Sequence, residues 1–508
     1  MDVPEPHMSS NAKRKRLLRL SAGSILLLAL GLGTGCFCAL RDRNPGYNVK
    51  LDIPQGRPAN TFQAGFARVK ITPNLAESKR PIYIAGFRQN RKATAIHDDL
   101  WAVACVLDDG RTRLGIVALD AIGFFHDDVI SVRKRLAKEW KLDYTIVCST
   151  HDHNAPDLLG LWGPNYLKTG VNKEYRAQVI AGAARALGDA VAALRPVRVA
   201  FHEIKTAPDG LVADMRKPEV FDPDIRVMHF TDPTNGVTVG SIVGWADHPE
   251  TVWSKGTEIT ADFPGYLRDA LENGVQHSGA ILESGIGGVH VYINGAVGGL
   301  MSTPPTLTVH DPYLNQDFKE PTHEKARALG RQLAQRIIQR LDSQTNSPAP
   351  LQSTNPAISI RARTIEVPLA NKGYLFAPML GLIDRGHVHW KRLRSEVALV
   401  RIGDASIACV PGEIYPEIVN GGIEKAPGGD FQIEPVEVPP IRDMMPGNIK
   451  FIFGLANDEI GYIIPKSEWD RKKPYLYGAE KKPYGEINSC GPEVGPGIHA
   501  AMRELCGK

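Results

Sequence analysis

Residues 144–156 read YTIVCSTHDHNAP, an apolar strand-like run followed at once by polar residues and a proline. A motif that directly follows a strand lies at its carboxyl end, where α/β proteins commonly build their sites. Two histidines separated by one residue can both offer imidazole nitrogens to one metal ion or one reacting group. The stretch therefore predicts a site around His151, Asp152 and His153, although two surface or capping histidines would give the same local pattern.

Short β-branched runs alternate with amphipathic helical patterns from residue 62 onward. This mixed order favours an α/β fold, with mixed sheets flanked by helices in a single large domain over 62–506. The predicted strands are 102–107, 114–119, 145–149, 198–203, 241–246, 289–293, 358–367, 397–402 and 405–410. The predicted helices are 130–141, 176–194, 264–273, 324–341 and 416–425.

The amino-terminal segment is expected to direct export. Residues 1–19 form a basic tail with five basic and two acidic side chains, which is +3 of the formal net charge of +4. An uncharged run over 20–40 follows, close to the length of about 20 residues that a bilayer-spanning helix needs. Basic charge before such a run places the tail in the cytoplasm. We expect a transmembrane anchor, a linker at 41–61 and a domain in the periplasm or outside the cell. A cleaved signal peptide or a lipoprotein would also be exported.

Beyond residue 19 the acidic and basic side chains nearly cancel. Nucleic-acid binding relies on a basic surface, so no nucleic-acid partner is expected. The sequence indicates no particular oligomeric state.

Two further strand ends carry side chains of the kind that bind metals. His248 closes the run SIVGWADHPE and is followed by a proline, and Glu413 follows the strand-like SIACV in VPGEIYPE. A single histidine after a strand is more often structural, and a glutamate before a helical pattern is favoured there by the helix dipole alone. Each has a simple structural explanation when taken singly, but both meet the positional criterion that His151 meets.

A glycine-rich turn over 293–304 follows the strand-like VHVYI. Gly298 and Gly299 permit a close backbone approach and could supply N–H donors to a developing oxyanion, which makes them candidates for substrate binding. Ser302 could hydrogen-bond to a substrate or attack it. Because the turn lacks a phosphate-loop lysine, nucleotide binding is not supported.

A second turn, over 454–462, contains Asn457 and ends in Tyr462. The tyrosine either belongs to the core or presents its hydroxyl to a site. Tyr484 lies in the polar loop PYGEINSCGP. Asn457 and Tyr484 are the remaining candidates for substrate binding.

These blocks occur in an order that resembles the neutral/alkaline non-lysosomal ceramidase family. GFARVKITP and IHDDLWAVACVLDDG resemble the start of that family's N-terminal catalytic domain. STHDHNAP is similar to its Thr-His-Thr-His-Ser-Gly-Pro, GWADHPETVW to its strand-end His-Pro, and ITADFPGYLRDALE to its Ala-Asp-Phe-Pro-Gly helix entry. PGEIYPE and GLANDEIGYIIP match later blocks. The resemblance spans 62–506 and indicates a divergent, bacterial-type member.

The resemblance implies a zinc-dependent amidase that hydrolyses the N-acyl bond of ceramide or a related N-acyl lipid with zinc-activated water. Carried onto the matching positions, it implies that His151, His248, Glu413 and Tyr462 would bind Zn2+. It also implies that His153 would handle the proton that the amine leaving group requires.

The sequence departs from the family pattern in two places. The family's Gly-Asp-x-Ser-Pro-Asn segment appears here as GGLMSTPP, which lacks the aspartate and displaces Ser302. Asp152 and Asn154 replace small hydroxyl residues, so Asp152 brings negative charge beside the ligands and is a further catalytic candidate. Two alternatives stay open: a zinc esterase or amidase for another acylated substrate, and a membrane-anchored relative without catalysis.

Overall fold

The protein is described by a computed structural model over residues 40–57, 61–342, 351–353 and 355–508. Its mixed sheets with flanking helices confirm the predicted fold class. The strands are β1 (Lys50–Ile53), β2 (Gln63–Lys70), β3 (Ala95–Ile96), β4 (Trp101–Asp108), β5 (Arg113–Leu119), β6 (Tyr144–Ser149), β7 (Arg195–Pro196), β8 (Arg198–Ile204), β9 (Ile225–Thr231), β10 (Thr238–Trp245), β11 (Glu258–Ile259), β12 (Val275–His277), β13 (Ala280–Glu283), β14 (Val289–Asn294), β15 (Val309–Asp311), β16 (Gln316–Phe318), β17 (Leu351–Ser353), β18 (Ile358–Pro368), β19 (Arg392–Ile402), β20 (Ala405–Cys409), β21 (Glu413–Ile414), β22 (Ile449–Phe453) and β23 (Tyr462–Ile463). The helices are α1 (His126–Arg133), α2 (Lys173–Ala192), α3 (Asp262–Asn273), α4 (His323–Asp342), α5 (Lys372–Phe376), α6 (Pro416–Asn420), α7 (Ile441–Met444) and α8 (Val494–Cys506).

Three five-stranded sheets share one hydrophobic core. Their strand orders are β6-β5-β4-β2-β7, β14-β10-β9-β8-β17 and β1-β18-β19-β20-β22. Ile116, Ile242 and Ile407 each bring a fully buried side chain into this core from a different sheet. Every sheet has one parallel pair at an edge: β5 with β6, β10 with β14, and β20 with β22. The carboxyl ends of these pairs lie close together, because β14 packs near both β6 and β22.

Helices cover the outer faces of the three sheets. Helix α2 packs on the first sheet, α3 and α4 on the second, and α8 on the third, each over its own apolar cluster. The contact between α2 and β2 is close enough to require glycine. A Cβ placed on Gly65 would lie 2.0 Å from the backbone oxygen of Ala190.

The predicted strands are confirmed to within a few residues, whereas two predicted helices end early. The helix predicted over 130–141 begins at His126 and stops at Arg133. Extended backbone at Ala137 then turns Trp140 onto α2, where its ring lies against Gly188. The helix predicted over 416–425 ends at Asn420. Gly421 and Gly422 follow it with φ of 89° and 100°, a conformation that ends a helix.

Part of the segment predicted as a linker packs against the domain. Strand β1 pairs antiparallel with β18, and Leu51 packs against the common core. Asp42 accepts two hydrogen bonds from Arg394, at 2.7 and 2.6 Å. The basic tail at 1–19 and nearly all of the predicted anchor at 20–40 lie outside the described residues. Within the described residues, no helix has the length and apolar character needed to cross a membrane.

A buried ion pair joins helix α1 to strand β19 of the third sheet, beside the first residue of β6. The guanidinium of Arg133 donates to both carboxylate oxygens of Glu396, at 2.8 and 2.7 Å. The hydroxyl of Tyr144 donates to the same carboxylate at 2.6 Å. Burial alone would raise the pKa of Glu396, but Arg133 outweighs that effect and holds the pKa below its ordinary value. The pair therefore contributes stability above the ordinary glutamate pKa and loses it as the pH falls through the lower folded-state pKa.

Replacing this carboxylate should destabilise the protein strongly. We expect Glu396→Ala to lower the free energy of unfolding by about 3–5 kcal/mol, because Arg133 would keep a buried charge without its partner. Glu434→Ala, which removes the exposed partner of Lys425, is the control and should cost only about 0–1 kcal/mol. Denaturant unfolding at neutral pH measures both. Equal losses in the two variants would contradict the structural role of the buried pair.

Candidate metal centre

The carboxyl ends of two large sheets and a separate two-stranded sheet, β21-β23, bring four side chains to one place. His151 follows β6 and His248 follows β10. Glu413 in β21 and Tyr462 in β23 stand opposite each other in parallel register. All four are buried, with exposed fractions between 2% and 6%. The structure thus brings together the four residues predicted as metal ligands, although they lie far apart in the sequence.

The spacing of their polar atoms fits donors that share one metal ion. Glu413 Oε2 lies 3.3 Å from His151 Nε2 and 3.1 Å from His248 Nε2. The Tyr462 hydroxyl lies 3.5 Å from His248 Nε2. Two donors that each bind one ion at about 2.0–2.2 Å lie within about 4 Å of each other, so these separations suit donors around one ion.

Backbone carbonyls orient both imidazoles. His151 Nδ1 lies 2.6 Å from the carbonyl oxygen of Ile122, and His248 Nδ1 lies 2.6 Å from that of Met301. In each ring the carbonyl fixes the proton on Nδ1 and leaves the Nε2 lone pair facing the centre. Metal-binding histidines are commonly held in this way. His151 also adopts a positive φ of 70°, a strained conformation for a non-glycine residue that is typical of functional sites.

His153 makes a different contact. Its Nδ1 lies 3.1 Å from Glu250 Oε2, close in distance but without the alignment of a hydrogen bond. Glu250 Oε1 accepts a hydrogen bond of 2.5 Å from Ser302 Oγ. The structure therefore places Ser302 beside Glu250, in a chain that leads from the serine through the glutamate to His153. One nitrogen each from His151, His153 and His248 lies within 4.8 Å of the others, so the three histidines also form a group that could hold a metal.

Opposed effects of burial and charge set the protonation of these groups. Burial disfavours the charged forms of His151 and Glu413, but their mutual attraction prevails, so the pKa of His151 is raised and the pKa of Glu413 is lowered. Burial lowers the pKa of His153 to about 4 despite the nearby Glu250. His153 is therefore neutral at ordinary pH, with a lone pair available to accept a proton.

An apolar cavity of about 790 Å³, including its mouth, opens onto this centre. His151, His153, Glu413 and Tyr462 line one end of it. Tyr484 also lines it and is half exposed, and burial raises the pKa of this phenol to about 12. Large apolar side chains make up much of the remaining wall: Ile122, Phe125, Leu159, Leu161, Trp162, Ile383, Leu393 and Ile460.

Two predicted site residues, Asp152 and Asn457, are buried and make their hydrogen bonds within the fold. Asp152 is buried without lining the cavity, and its Oδ1 accepts a hydrogen bond of 2.8 Å from the backbone of Asn154. Burial and the nearby Asp262 raise the pKa of Asp152. Asn457 Oδ1 accepts from the Val147 N–H at 3.0 Å, and its Nδ2 donates to the Tyr144 hydroxyl at 3.0 Å. All of these contacts are internal to the fold.

The predicted glycines Gly298 and Gly299 lie in a short 3-10 turn, and neither lines the cavity. A Cβ on Gly298 would lie 2.2 Å from the ring of Tyr415, so this position is required by packing. Gly299 has a positive φ of 73° beside Asp214. Their predicted role in substrate binding gains no support from these contacts and stays a prediction.

Two acidic residues at the site were not identified from the sequence. Glu250 stands two positions after His248, and that short spacing was the available signal. Glu459 lines the cavity, its Oε1 accepts from the Gly461 N–H at 2.7 Å, and its buried Oε2 has no hydrogen-bond partner. Burial and the neighbouring Glu413 raise the pKa of Glu459 well above its ordinary value. No local pattern distinguishes Glu459 from a surface glutamate.

Neither family models nor curated protein sequences match this chain. Two solved structures share its fold. Neutral ceramidase from Pseudomonas aeruginosa superposes with a TM-score of 0.63 at 16% identity, over 88% of this chain and 74% of that chain. A ceramidase complexed with C2 gives the same TM-score and identity, over 89% and 75%. The predicted resemblance is thus confirmed at the level of the fold.

The geometry predicts a metal ion whose binding depends on the paired strand-end histidines. Loss of a group that merely supports a ligand lowers metal affinity by roughly 10–100-fold. We expect His248→Ala, which removes a ligand itself, to lower metal affinity by more than that. His290→Ala is the matched control, because this buried histidine on β14 hydrogen-bonds to Ser241 outside the cluster. Elemental analysis and competition with a chelator measure metal occupancy. Full occupancy in His248→Ala would rule out the proposed ligand set.

Proposed function

We propose that the protein is a zinc-dependent hydrolase that cleaves the N-acyl amide bond of ceramide or a related N-acyl lipid. The observation that carries this proposal is the convergence of two histidines, a glutamate and a tyrosine at the end of an apolar cavity. Imidazole, carboxylate and phenol donors suit zinc, and the fold shared with ceramidases supports the same reading.

His151, His248, Glu413 and Tyr462 would hold the ion. When bound, zinc supplies Lewis-acid polarisation of a carbonyl and lowers the pKa of water to about 7. His153 lines the cavity beside this centre and is neutral at ordinary pH, so it can accept a proton and return it to the departing amine. Glu250 lies against its Nδ1 and holds the ring in place.

The cavity wall supports an acyl substrate. Its apolar side chains would remove a hydrocarbon chain from water, and residues of the proposed metal centre line the same cavity. Tyr484 retains its phenolic proton at neutral pH and can donate a hydrogen bond to a carbonyl or hydroxyl of the substrate. A wall of this kind favours a lipid over an acylated sugar or peptide.

Loss of the proton-handling histidine should separate catalysis from metal binding. We expect His153→Ala to lower kcat by roughly 10²–10⁴-fold, the usual contribution of general acid–base catalysis, while zinc occupancy stays unchanged. Single-turnover hydrolysis and elemental analysis of the same preparation give the two quantities. Unchanged kcat would remove His153 from the mechanism, and lost zinc would make it a ligand.

A panel of substrates tests the reaction type. N-acyl sphingoid bases, matched acyl esters and N-acylated amino sugars should be compared with the zinc-loaded protein. We expect the N-acyl lipids to have the highest kcat/KM, because only they fill the apolar cavity and present an amide at its polar end. Preference for the esters would indicate a zinc esterase. A protein that takes up no zinc when zinc is supplied, and cleaves none of the panel, would indicate a relative that lacks catalysis.

A further inference from the structure

Three loops that line the cavity also carry large apolar side chains that face solvent. The loop over 160–170 carries two of them, the segment over 371–392 carries three, and the loop over 484–488 carries one in addition to Tyr484. We call this set the rim: Tyr166, Leu167, Phe376, Leu380, Trp390 and Ile487. Their exposed fractions lie between 45% and 80%, so the cavity opens through an apolar surface.

Contacts between the loops hold the rim together. Leu167 and Leu380 line one shared surface cleft. Asn371 Nδ2 donates to the backbone oxygen of Ile487 at 2.9 Å, which joins the second loop to the third. Trp390 stands between His387 and Leu393, both of which line the cavity. These contacts connect the three segments that carry the rim, and each of the three also lines the cavity.

Exposed basic side chains accompany the rim. Exposed carboxylates are fewer in the three segments and in residues 480–483, which precede the third segment. They are Asp384, which pairs with Arg43 and Arg176, and Glu480. Apolar side chains interleaved with basic ones are typical of surfaces that dock on anionic lipid bilayers. The exposed basic residues are Lys168, Lys372, Lys391, Arg392, Lys481 and Lys482.

The chain leaves the predicted anchor beside this same surface. The backbone oxygen of Leu40, the last residue of the uncharged run at 20–40, accepts a hydrogen bond of 3.0 Å from the His387 N–H. Asp42 then pairs with Arg394 in β19, and Arg43 pairs with Asp384 on the segment that carries Trp390. A domain fixed this closely to residue 40 keeps the rim next to any bilayer that the run enters.

We propose that the rim docks on the surface of the bilayer, so that the cavity receives its substrate directly from the lipid phase. The identity of the substrate rests on the proposed function, whereas the contact between the rim and the bilayer does not. Partial insertion of the rim would place the cavity mouth among the acyl chains, and the basic side chains would lie at the level of the anionic headgroups.

Fluorescence quenching in vesicles tests the contact without any catalysis. The full chain is reconstituted in phosphatidylcholine mixed with phosphatidylglycerol, with bromine on the acyl chains as the quencher. The quantity measured is the fraction of tryptophan fluorescence that the bromine removes. We expect this fraction to fall in Trp390→Phe and to stay unchanged in Trp140→Phe, because Trp140 packs against α2. Quenching should weaken in phosphatidylcholine alone and at high salt. Equal quenching in Trp390→Phe and the unaltered protein would overturn the proposal.

Kinetics with Leu380→Asp tests the consequence for substrate delivery. We expect kcat/KM for a bilayer-embedded N-acyl lipid to fall by about tenfold, the factor for losing one interfacial leucine, while that for a water-soluble short-chain analogue stays unchanged. Equal loss on both substrates would overturn the proposal. An oligomer that forms in detergent and dissociates in Leu380→Asp would also overturn the proposal, because the rim would then face a second copy of the chain. If neither substrate is cleaved, the proposed function fails, and quenching alone decides the membrane contact.

Discussion

Asn294 fixes the ends of the three sheets relative to one another, through its side-chain amide and its backbone oxygen. At the end of β14, its Nδ2 donates to the carbonyl oxygens of Thr150 and Asp247, at 2.9 and 2.8 Å. These residues immediately precede His151 and His248. The backbone oxygen of Asn294 accepts from Gly454, just after β22, at 2.9 Å. An aspartate could not donate to both carbonyls, so the spacing of the ligand atoms depends on a buried amide at this position.

That spacing brings electron-rich atoms together at the centre, and their repulsion must be offset by positive charge. Backbone carbonyls hold the Nδ1 protons of His151 and His248, so both Nε2 lone pairs face the carboxylate of Glu413. Three electron-rich atoms in a buried site require either a proton or a cation between them. The raised pKa of His151 shows that a proton can meet this demand, and a metal ion meets it for all four donors at once. Protons and a metal ion would therefore compete for the centre, so any metal affinity should fall as the pH falls.

The sequence predicts what depends on local patterns and misses what depends on contacts between distant segments. Short β-branched runs predict the strands, and the ends of those strands point to His151 and His248. A polar residue in a turn gives no sign that it will cap the buried backbone of Val147. For this reason the same reasoning predicts Asn457 as a substrate-binding residue. Ser302 was equally ambiguous: its partner Glu250 is 52 residues away in the chain. Only the assembled sheets decide which polar residues face the cavity.

Reaction and substrate are set by different parts of the molecule. The strand ends that carry His151, His248 and Glu413 are tied to the common core, so their geometry tolerates little change. The cavity wall comes instead from loops, including 159–162 and 383–393, whose side chains can differ without moving the metal centre. Two proteins with this fold can therefore share the arrangement of their strand ends at 16% identity and still differ in the cavity wall. Under the proposed function, the wall and the rim, rather than the histidines, would decide which acyl group the chain accepts.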